Sequence, residues 1–294
     1  MKKNVMNDIT RLGYVARVIY TSITPNSFFR KRVYKKLFGK KLDLKKPIGF
    51  NAKISKRILE EKELLYTLLA DKYKVRDYVS EKVGSEILIP LIKCYDNVDE
   101  ININDLPNKF VAKCNHDAGS VVVCDDKKTL DFVSFVSHFK SAINRNMYYT
   151  TREWHYKNIT RKILIEEMID IFSDEATPED YKFHCFNGKV EYIEVQFSRF
   201  SSDRRINVYD SSWNLCDFRV GHRNTEKVIY KPECLEKLIT ISEKLAVDLK
   251  YCRIDLYVTS NKKIYFGEIT LTSGSGTYKF DPPESDIVFG SSWE

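Results

Sequence analysis

The chain has 294 residues, 43% hydrophobic and 30% charged, a balance that fits a soluble globular protein with a full core in one large domain or two lobes. No run of eighteen apolar residues occurs and Met1-Lys2-Lys3-Asn4 lacks a signal-peptide core, so neither a spanning helix nor a cleaved leader is expected, and a cytoplasmic location is. The net charge of +7 is uneven: residues 1–48 hold 13 Lys/Arg against 2 Asp/Glu while the remainder is net acidic, which argues against a nucleic-acid-binding body. The seven cysteines are odd in number and scattered, with no C-x-x-C pair, and read as reduced buried thiols rather than a zinc site.

Residues 1–48 are basic and aromatic. Helical spacing puts Phe29, Val33 and Leu37 near one face among Lys and Arg. Two readings compete: a helical segment that packs on the body with a solvated basic face, or a peripheral anchor for the inner face of a membrane or an acidic polymer. Residues 49–84 carry a helical stripe (Ile54, Ile58, Leu65, Leu68, Leu69), then a second helix ending near Gly84. Ile87–Ile92 reads as a short buried strand, ended or edged by Pro90.

Phe110–Cys124 reads as a hairpin around a loop with Gly119 and Ser120. Lys113 lies inside its first apolar strand, where an ammonium requires an anionic partner; a phosphate and a structural ion pair both satisfy it. Thr129–Asn144 has helical periodicity. The aromatic stretch Tyr148–Tyr156 has no clean period and fits either a cleft lining or a packing loop. Lys162–Ile169 reads as a buried strand that ends in two acids, Glu166 and Glu167.

Tyr181–Val195 is a hairpin turning at Asn187-Gly188, a type I′ signal, with Lys182 and His184 on one face. Arg199, Arg204 and Arg205 cluster in the following loop. Residues 232–249 form an amphipathic helix that starts near Pro232. The strands Arg253–Tyr257 and Phe266–Thr270 then pair about a turn near Asn261, before the run Ser273-Gly274-Ser275-Gly276. The tail, 281–294, reads as irregular. The succession of helices and strands gives an α+β class with largely antiparallel sheets.

Pairing residue i with about 521 − i in the last hairpin sets Asp255 opposite position 266, with Glu268 two residues on along the same face. Both carboxylates then reach one ion, Thr270 points the same way, and Arg253 shares the face. Oxygen ligands of this kind, completed by phosphate, suit Mg²⁺. The chain has no P-loop, dinucleotide fingerprint, serine-hydrolase elbow or H-E-x-x-H motif.

These residues, in this order, resemble the ATP-grasp superfamily: the Asp71-Lys72 segment with Ile89-Pro90, the Lys113 strand with Gly119-Ser120, the strand Ile163–Glu167, R-x-D at Arg253 and Asp255, and E-x-[NT]-x-x-x-G at Glu268, Thr270 and Gly274. Gly49–Ile54, Phe110–His116, Arg152–Asn158, Tyr181–Lys189 and Ile264–Thr270 look more closely like its TupA-like (teichuronopeptide biosynthesis) family, associated with bacterial surface polysaccharides. The resemblance spans about 49–280 and implies an ATP-grasp domain there, between a basic segment 1–48 and the tail 281–294.

It implies ATP and Mg²⁺ between two α+β lobes. Lys72, Lys113, Gly119 and Ser120 would contact the nucleotide, and Glu166, Glu167, Met168 and Ile169 would form its hinge. Lys182 and Arg253 would lie at the phosphates, with Asp255, Glu268 and Thr270 on the metal. Thr270 stands where many relatives have Asn, and residues 1–60 show no α/β domain. The activity implied is a carboxylate–amine ligase acting through an acyl phosphate on an acidic sugar and an amino acid, with Arg204 and Arg205 at the acidic substrate. A kinase on a glycan hydroxyl is the second reading. A silent glycan-assembly module is the third, against which Lys113, Asp255 and Glu268 argue.

Overall fold

The computed structural model describes residues 11–169, 180–197 and 204–293. It opens with five helices: α1 (Arg11–Ile23), α2 (Asn26–Phe38), α3 (Phe50–Glu60), α4 (Leu64–Ala70) and α5 (Val75–Val83). The expected stripe over 49–84 is therefore three helices, and side chains explain both breaks. Glu61 leaves the helix and accepts from Arg57 Nε and Tyr66 OH, each at 2.8 Å. Buried Asp71 accepts from the amides of Tyr73 and Lys74 ahead of it, at 2.9 and 3.3 Å, an Asx turn that leads the chain out of α4 and into α5. Gly84 closes α5 with φ 98°, as its position predicts.

Four strands, β1 (Leu91–Tyr95), β2 (Phe110–Cys114), β3 (Val122–Cys124) and β4 (Ile163–Glu166), form an antiparallel sheet in the order β1-β4-β2-β3. β1 starts at Leu91 rather than Ile87, because Ser85–Ile87 is one 3₁₀ turn and Pro90 has no N–H for the ladder. Between β3 and β4 lie α6 (Phe132–Ile143) and the single turn α7 (Tyr148–Thr151). α6 is capped by Asp131, whose Oδ1 accepts from the Ser134 amide at 3.0 Å, so it begins after Thr129.

The second sheet has the order β10-β9-β5-β6-β7, built from β5 (Asp180–Phe186), β6 (Lys189–Phe197), β7 (Arg205–Asp210), β9 (Tyr251–Val258) and β10 (Ile264–Thr270). Every neighbouring pair is antiparallel. The β5–β6 turn is as expected, with φ 49° at Asn187 and 78° at Gly188. A two-stranded ribbon pairs β8 (Arg219–Val220) with β11 (Phe280–Asp281). Helix α8 (Leu235–Ala246) starts three residues beyond Pro232, and a last helix, α9 (Ser285–Ser291), replaces the irregular tail expected for 281–294.

The large sheet has two unlike faces. Ile269, Ile254, Phe183, Ile193 and Tyr209 lie side by side across five strands, all buried, and pack on Leu238, Ile241 and Leu245 of α8. The small sheet packs likewise, Phe110, Ala112, Ile163 and Ile165 against Phe135 and Phe139 of α6. Burying one such side chain stabilises by roughly 1.5–3 kcal/mol, so these two layers dominate the fold. The opposite face of the large sheet is polar yet also buried, and one end of it is closed by an aromatic group. There Phe50 of α3 lies 5.0 Å from the rings of both Tyr251 and Phe289, next to Trp293.

The N-terminal helices are joined to the body by charge and hydrogen bonds. Buried Arg30 of α2 donates to Ser275 O at 2.5 Å and Ser55 Oγ at 3.1 Å. Buried Arg152 donates to Thr24 O at 2.9 Å and Asn26 Oδ1 at 2.7 Å. Tyr148 and Tyr149 of the aromatic stretch meet the same helices, through Asn26 Nδ2 at 3.2 Å and the Tyr14 ring at 6.2 Å. Residues 11–60 are helical and loop, with no strand among them.

Candidate active site

Strand pairing assembles the polar face. Glu268, Asp255, Lys182 and Glu194 stand opposite one another across β10, β9, β5 and β6. Thr270, Arg253, His184 and Tyr192 form the next row. The expected register is off by two: from the turn onward the strands pair one residue later than expected, Tyr265 with Tyr257, and a bulge between Phe266 and Glu268 adds the second, so Asp255 faces Glu268 itself. The bulged residue is Gly267, where a Cβ would stand 3.0 Å from the Tyr257 ring and 3.1 Å from Asp255 O. The bulge brings the two carboxylates to the same level.

Asp255 is buried and fully partnered. Arg253 grips both its oxygens, Nε to Oδ1 at 2.6 Å and Nη2 to Oδ2 at 2.7 Å, and Lys182 Nζ donates to Oδ2 at 2.6 Å and to Asp180 Oδ2 at 2.5 Å. Burial alone would raise the Asp255 pKa, but the Arg253 and Lys182 cations hold it below the usual carboxylate range. Glu268 is likewise lowered; burial and Asp255 oppose this, and Lys72, Arg253 and Lys182 outweigh them. Burial depresses the His184 pKa against the opposing Glu194 carboxylate, with Nδ1 3.0 Å from Tyr251 OH and Nε2 3.6 Å from Glu194. Gln196 Nε2 donates to Glu194 Oε1 at 2.5 Å and extends the network to Arg204, whose Nη2 donates to Gln196 Oε1 at 2.7 Å.

Arg253 Nη2 tests the metal assignment. Besides Asp255 Oδ2 it lies 3.2 Å from Glu268 Oε1 and 3.2 Å from Thr270 Oγ1. The three groups assigned to the ion thus converge on one positive atom, and an all-oxygen donor set fits Mg²⁺. No cluster of three or more His, Cys, Asp and Glu able to hold a metal occurs among the described residues, so other ligands would be the Thr270 hydroxyl, phosphate oxygens and water.

The small sheet supplies a second charged group. Lys113 Nζ lies 2.6 Å from Glu166 Oε2, with Arg76 Nη1 3.5 Å from Oε1. The lysine's anionic partner in the free protein is therefore Glu166, the residue expected at the hinge. Glu167 is exposed, its amide bonded to Pro90 O at 3.0 Å, and half-buried Met168 and Ile169 follow. Ser120 is held within its own loop: its buried hydroxyl accepts from the Cys114 amide at 2.9 Å and donates to Asp117 Oδ1 at 2.6 Å, while Gly119 is exposed. Lys72 joins the two sheets, donating to Asp117 O at 2.6 Å and reaching Glu268 Oε2 at 3.8 Å.

Arg204 and Arg205 do not act as a pair. Arg204 belongs to the polar-face network, whereas Arg205 lines an open cleft of about 550 Å³ with Arg219, Arg223 and Asn224. Arg199 lies outside the described residues. Sequence reasoning passed over Asp180, Glu194 and Gln196 as site residues. Their signal was present: polar residues at every second position of β5 and β6 describe a polar sheet face. Arg76 and Tyr278, whose OH takes Arg253 Nη1 at 3.3 Å, come from other elements and left no such pattern.

No curated protein matches the chain. Among solved structures it is similar to the D-alanine–D-alanine ligase from Bacillus anthracis complexed with ATP (17% identity, TM-score 0.42, 89% of this chain and 73% of that one). It is also similar to N5-carboxyaminoimidazole synthetase from Staphylococcus aureus (13%, TM-score 0.41, 69% and 44%). A third is the L-amino acid ligase from Bacillus licheniformis (13%, TM-score 0.43, 71% and 42%). The chain spans less than half the length of the last two. The family model for TupA-like ATP-grasp matches residues 2–294, practically the whole chain, and the protein belongs to that family.

Proposed function

We propose that the protein is an ATP-dependent carboxylate–amine ligase, joining an amino acid to a uronic acid of a bacterial surface polysaccharide. The observation that carries this reading is the convergence of Asp255, Glu268 and Thr270 on the Arg253 guanidinium, beside Lys182. Oxygen ligands and fixed cations side by side are what phosphoryl transfer to a carboxylate requires. Residues 49–280 would form the catalytic unit, with α1, α2 and α9 bracing it.

Asp255, Glu268 and Thr270 would hold Mg²⁺, which when bound neutralises charge on the β- and γ-phosphates. Lys113, Lys72 and Lys182 would bind phosphate oxygens, and residues Glu166 to Ile169 would line the base and ribose. A carboxylate oxygen attacks the γ-phosphorus, the bond to the ADP oxygen breaks, and an acyl phosphate forms. The amine nitrogen then attacks the acyl carbon, phosphate leaves, and the amine gives up a proton to yield the amide. Arg253, beside Asp255 and Glu268, would hold the transferring phosphoryl group. An acidic sugar would be met in the cleft lined by Arg205, Arg219 and Arg223, where Arg219 is already ion-paired with Asp281 and would have to exchange that partner.

The test is a screen of uronates with amino acids, reading ADP and phosphate. Release of both only when carboxylate and amine are present supports the ligase. A second reading, a kinase acting on a glycan hydroxyl, rests on the same phosphate-binding groups. ADP release with the hydroxyl alone, and phosphate retained on the glycan by mass spectrometry, would establish it instead.

A further inference from the structure

The ligase reading leaves the N-terminal helices unexplained. On α1, Val15, Ile19 and Ile23 recur every fourth residue and are 48%, 56% and 75% exposed. That spacing forms one stripe along the helix, and Tyr20 stands beside it. The other side of α1 is occupied: the Tyr14 hydroxyl accepts from the Asn146 amide at 2.9 Å, and Thr21 is buried with Oγ1 on Tyr149 O at 3.3 Å. The apolar stripe is therefore the outer face of a helix already docked on its inner face.

Helix α2 continues the pattern with charge. Arg30 and Tyr34 turn inward, while Phe28, Lys31, Arg32 and Lys35 share the outward face at helical spacing, all exposed. Phe28 is 56% exposed and has cations for neighbours. Lys36, Lys40, Lys41, Lys45 and Lys46 are exposed as well. Between residues 11 and 48 the only acid is Asp43, against 11 Lys/Arg, whereas residues 49–294 are net acidic. Apolar side chains without cover cost stability in water, and a basic surface beside them selects what covers them.

We propose that α1 and α2 dock in the plane of an anionic lipid bilayer, with Val15, Ile19, Ile23 and Phe28 entering the headgroup boundary and Lys31, Arg32, Lys35 and Lys36 on the acidic lipids. Charge complementarity selects a membrane over a neutral partner, and the apolar stripe selects it over a soluble polyanion, which offers nothing apolar to cover it. No helix among the described residues is long and apolar enough to cross a membrane, so the docking is peripheral. Through Arg30 on Ser275 O and Arg152 on Thr24 O, the docked pair is tied to the loop that follows β10 and to the segment before β4. The candidate site would then work at the bilayer surface, where an acceptor carried on a lipid is within reach.

The test is co-sedimentation of the full chain with vesicles of phosphatidylcholine, with and without about 30 mol% phosphatidylglycerol. Binding should require the anionic lipid and fall steeply as salt rises toward about 0.5 M. K31E/R32E/K35E should reduce the bound fraction by roughly a hundredfold or more, near fivefold for each lost cation and further for each reversal. I19S/I23S should weaken binding about tenfold or more at low salt, where charge alone would hold it. Both variants should keep the parent's circular dichroism and its thermal response to Mg-ATP, which separates this proposal from the ligase reading. Absence of binding to anionic vesicles overturns it. So does binding that ignores I19S/I23S, which is charge adsorption, and so does a dimer in light scattering that I19S/I23S dissociates.

Discussion

Glu268 and Asp255 differ in what surrounds them, and this separates their substitutions. Asp255 is 2% exposed and carries the Arg253 and Lys182 ion pairs, so removing it leaves Lys182 with Asp180 alone and Arg253 with the longer contact to Glu268. Glu268 has a 35% exposed side chain and reaches Arg253 at 3.2 Å and Lys72 at 3.8 Å. Glu268→Gln should therefore change the stability of the free protein by less than about 1 kcal/mol. Its affinity for Mg-ATP should drop tenfold or more, about 1.4 kcal/mol, read as a smaller thermal shift. Equal shifts in variant and parent would remove Glu268 from the metal site. His184 sets a pH dependence. Its folded pKa lies below the ordinary 6.5, so the unfolded chain takes up the proton first. The stability it contributes is present above about pH 6.5 and declines as pH falls below that; Asp255, also depressed, adds a further loss below about pH 4. In His184→Gln the decline between about pH 6.5 and 5 should flatten in urea titrations, while the steeper loss at lower pH stays.

At the scale of elements, α9 makes part of the core rather than a tail. It packs where α3 begins, and Gly290 permits this: a Cβ there would stand 2.5 Å from the backbone nitrogen of Phe50. The neighbour is backbone and has nowhere to go. Gly290→Val should destabilise by about 1–3 kcal/mol, the usual cost of overpacking. Because Phe289 and Trp293 close the end of the polar face over Tyr251, the same variant should raise amide exchange in β9 near Tyr251 and Cys252. Unchanged exchange there would mean α9 moves without opening the aromatic cluster. Asp71 is the second junction: it leads the chain out of α4 and also accepts from Asn115 Nδ2 at 2.7 Å, so one carboxylate positions both Lys72 and the start of the β2–β3 loop.

Across the whole molecule, the two sheets meet at charged side chains more than at a shared apolar seam. Lys72 holds Asp117 O on one side and reaches Glu268 on the other, and Arg76 reaches Glu166. Lys72→Met should free the 115–121 loop, seen as faster exchange of amides 117–121, with β9 protected as before. It should also weaken ATP binding without a matching loss in the free protein's stability. Equal protection in variant and parent would mean that backbone contacts alone hold the loop.

The sequence by itself determined the elements whose cause is local. The Asn187-Gly188 turn, the α5 end at Gly84, the alternating faces of β5 and the paired apolar layers follow from nearby residues and their period. It also carried the ordered motifs by which the family was legible, and so the identity of Lys72, Lys113, Lys182, Arg253, Asp255 and Glu268 as residues to examine. Tertiary structure alone decided their partners. The turn displaces the pairing by one residue and a bulge at Gly267 by one more, and only then does Asp255 face Glu268. Lys113 finds Glu166 across β2 and β4, a contact between residues more than fifty positions apart. The helix at 285–291 forms because Phe289 and Trp293 can be buried on Phe50, far off in sequence. Burial of a charge is decided by what the folded chain brings against it, and that information resides in contacts between distant segments rather than in any one stretch.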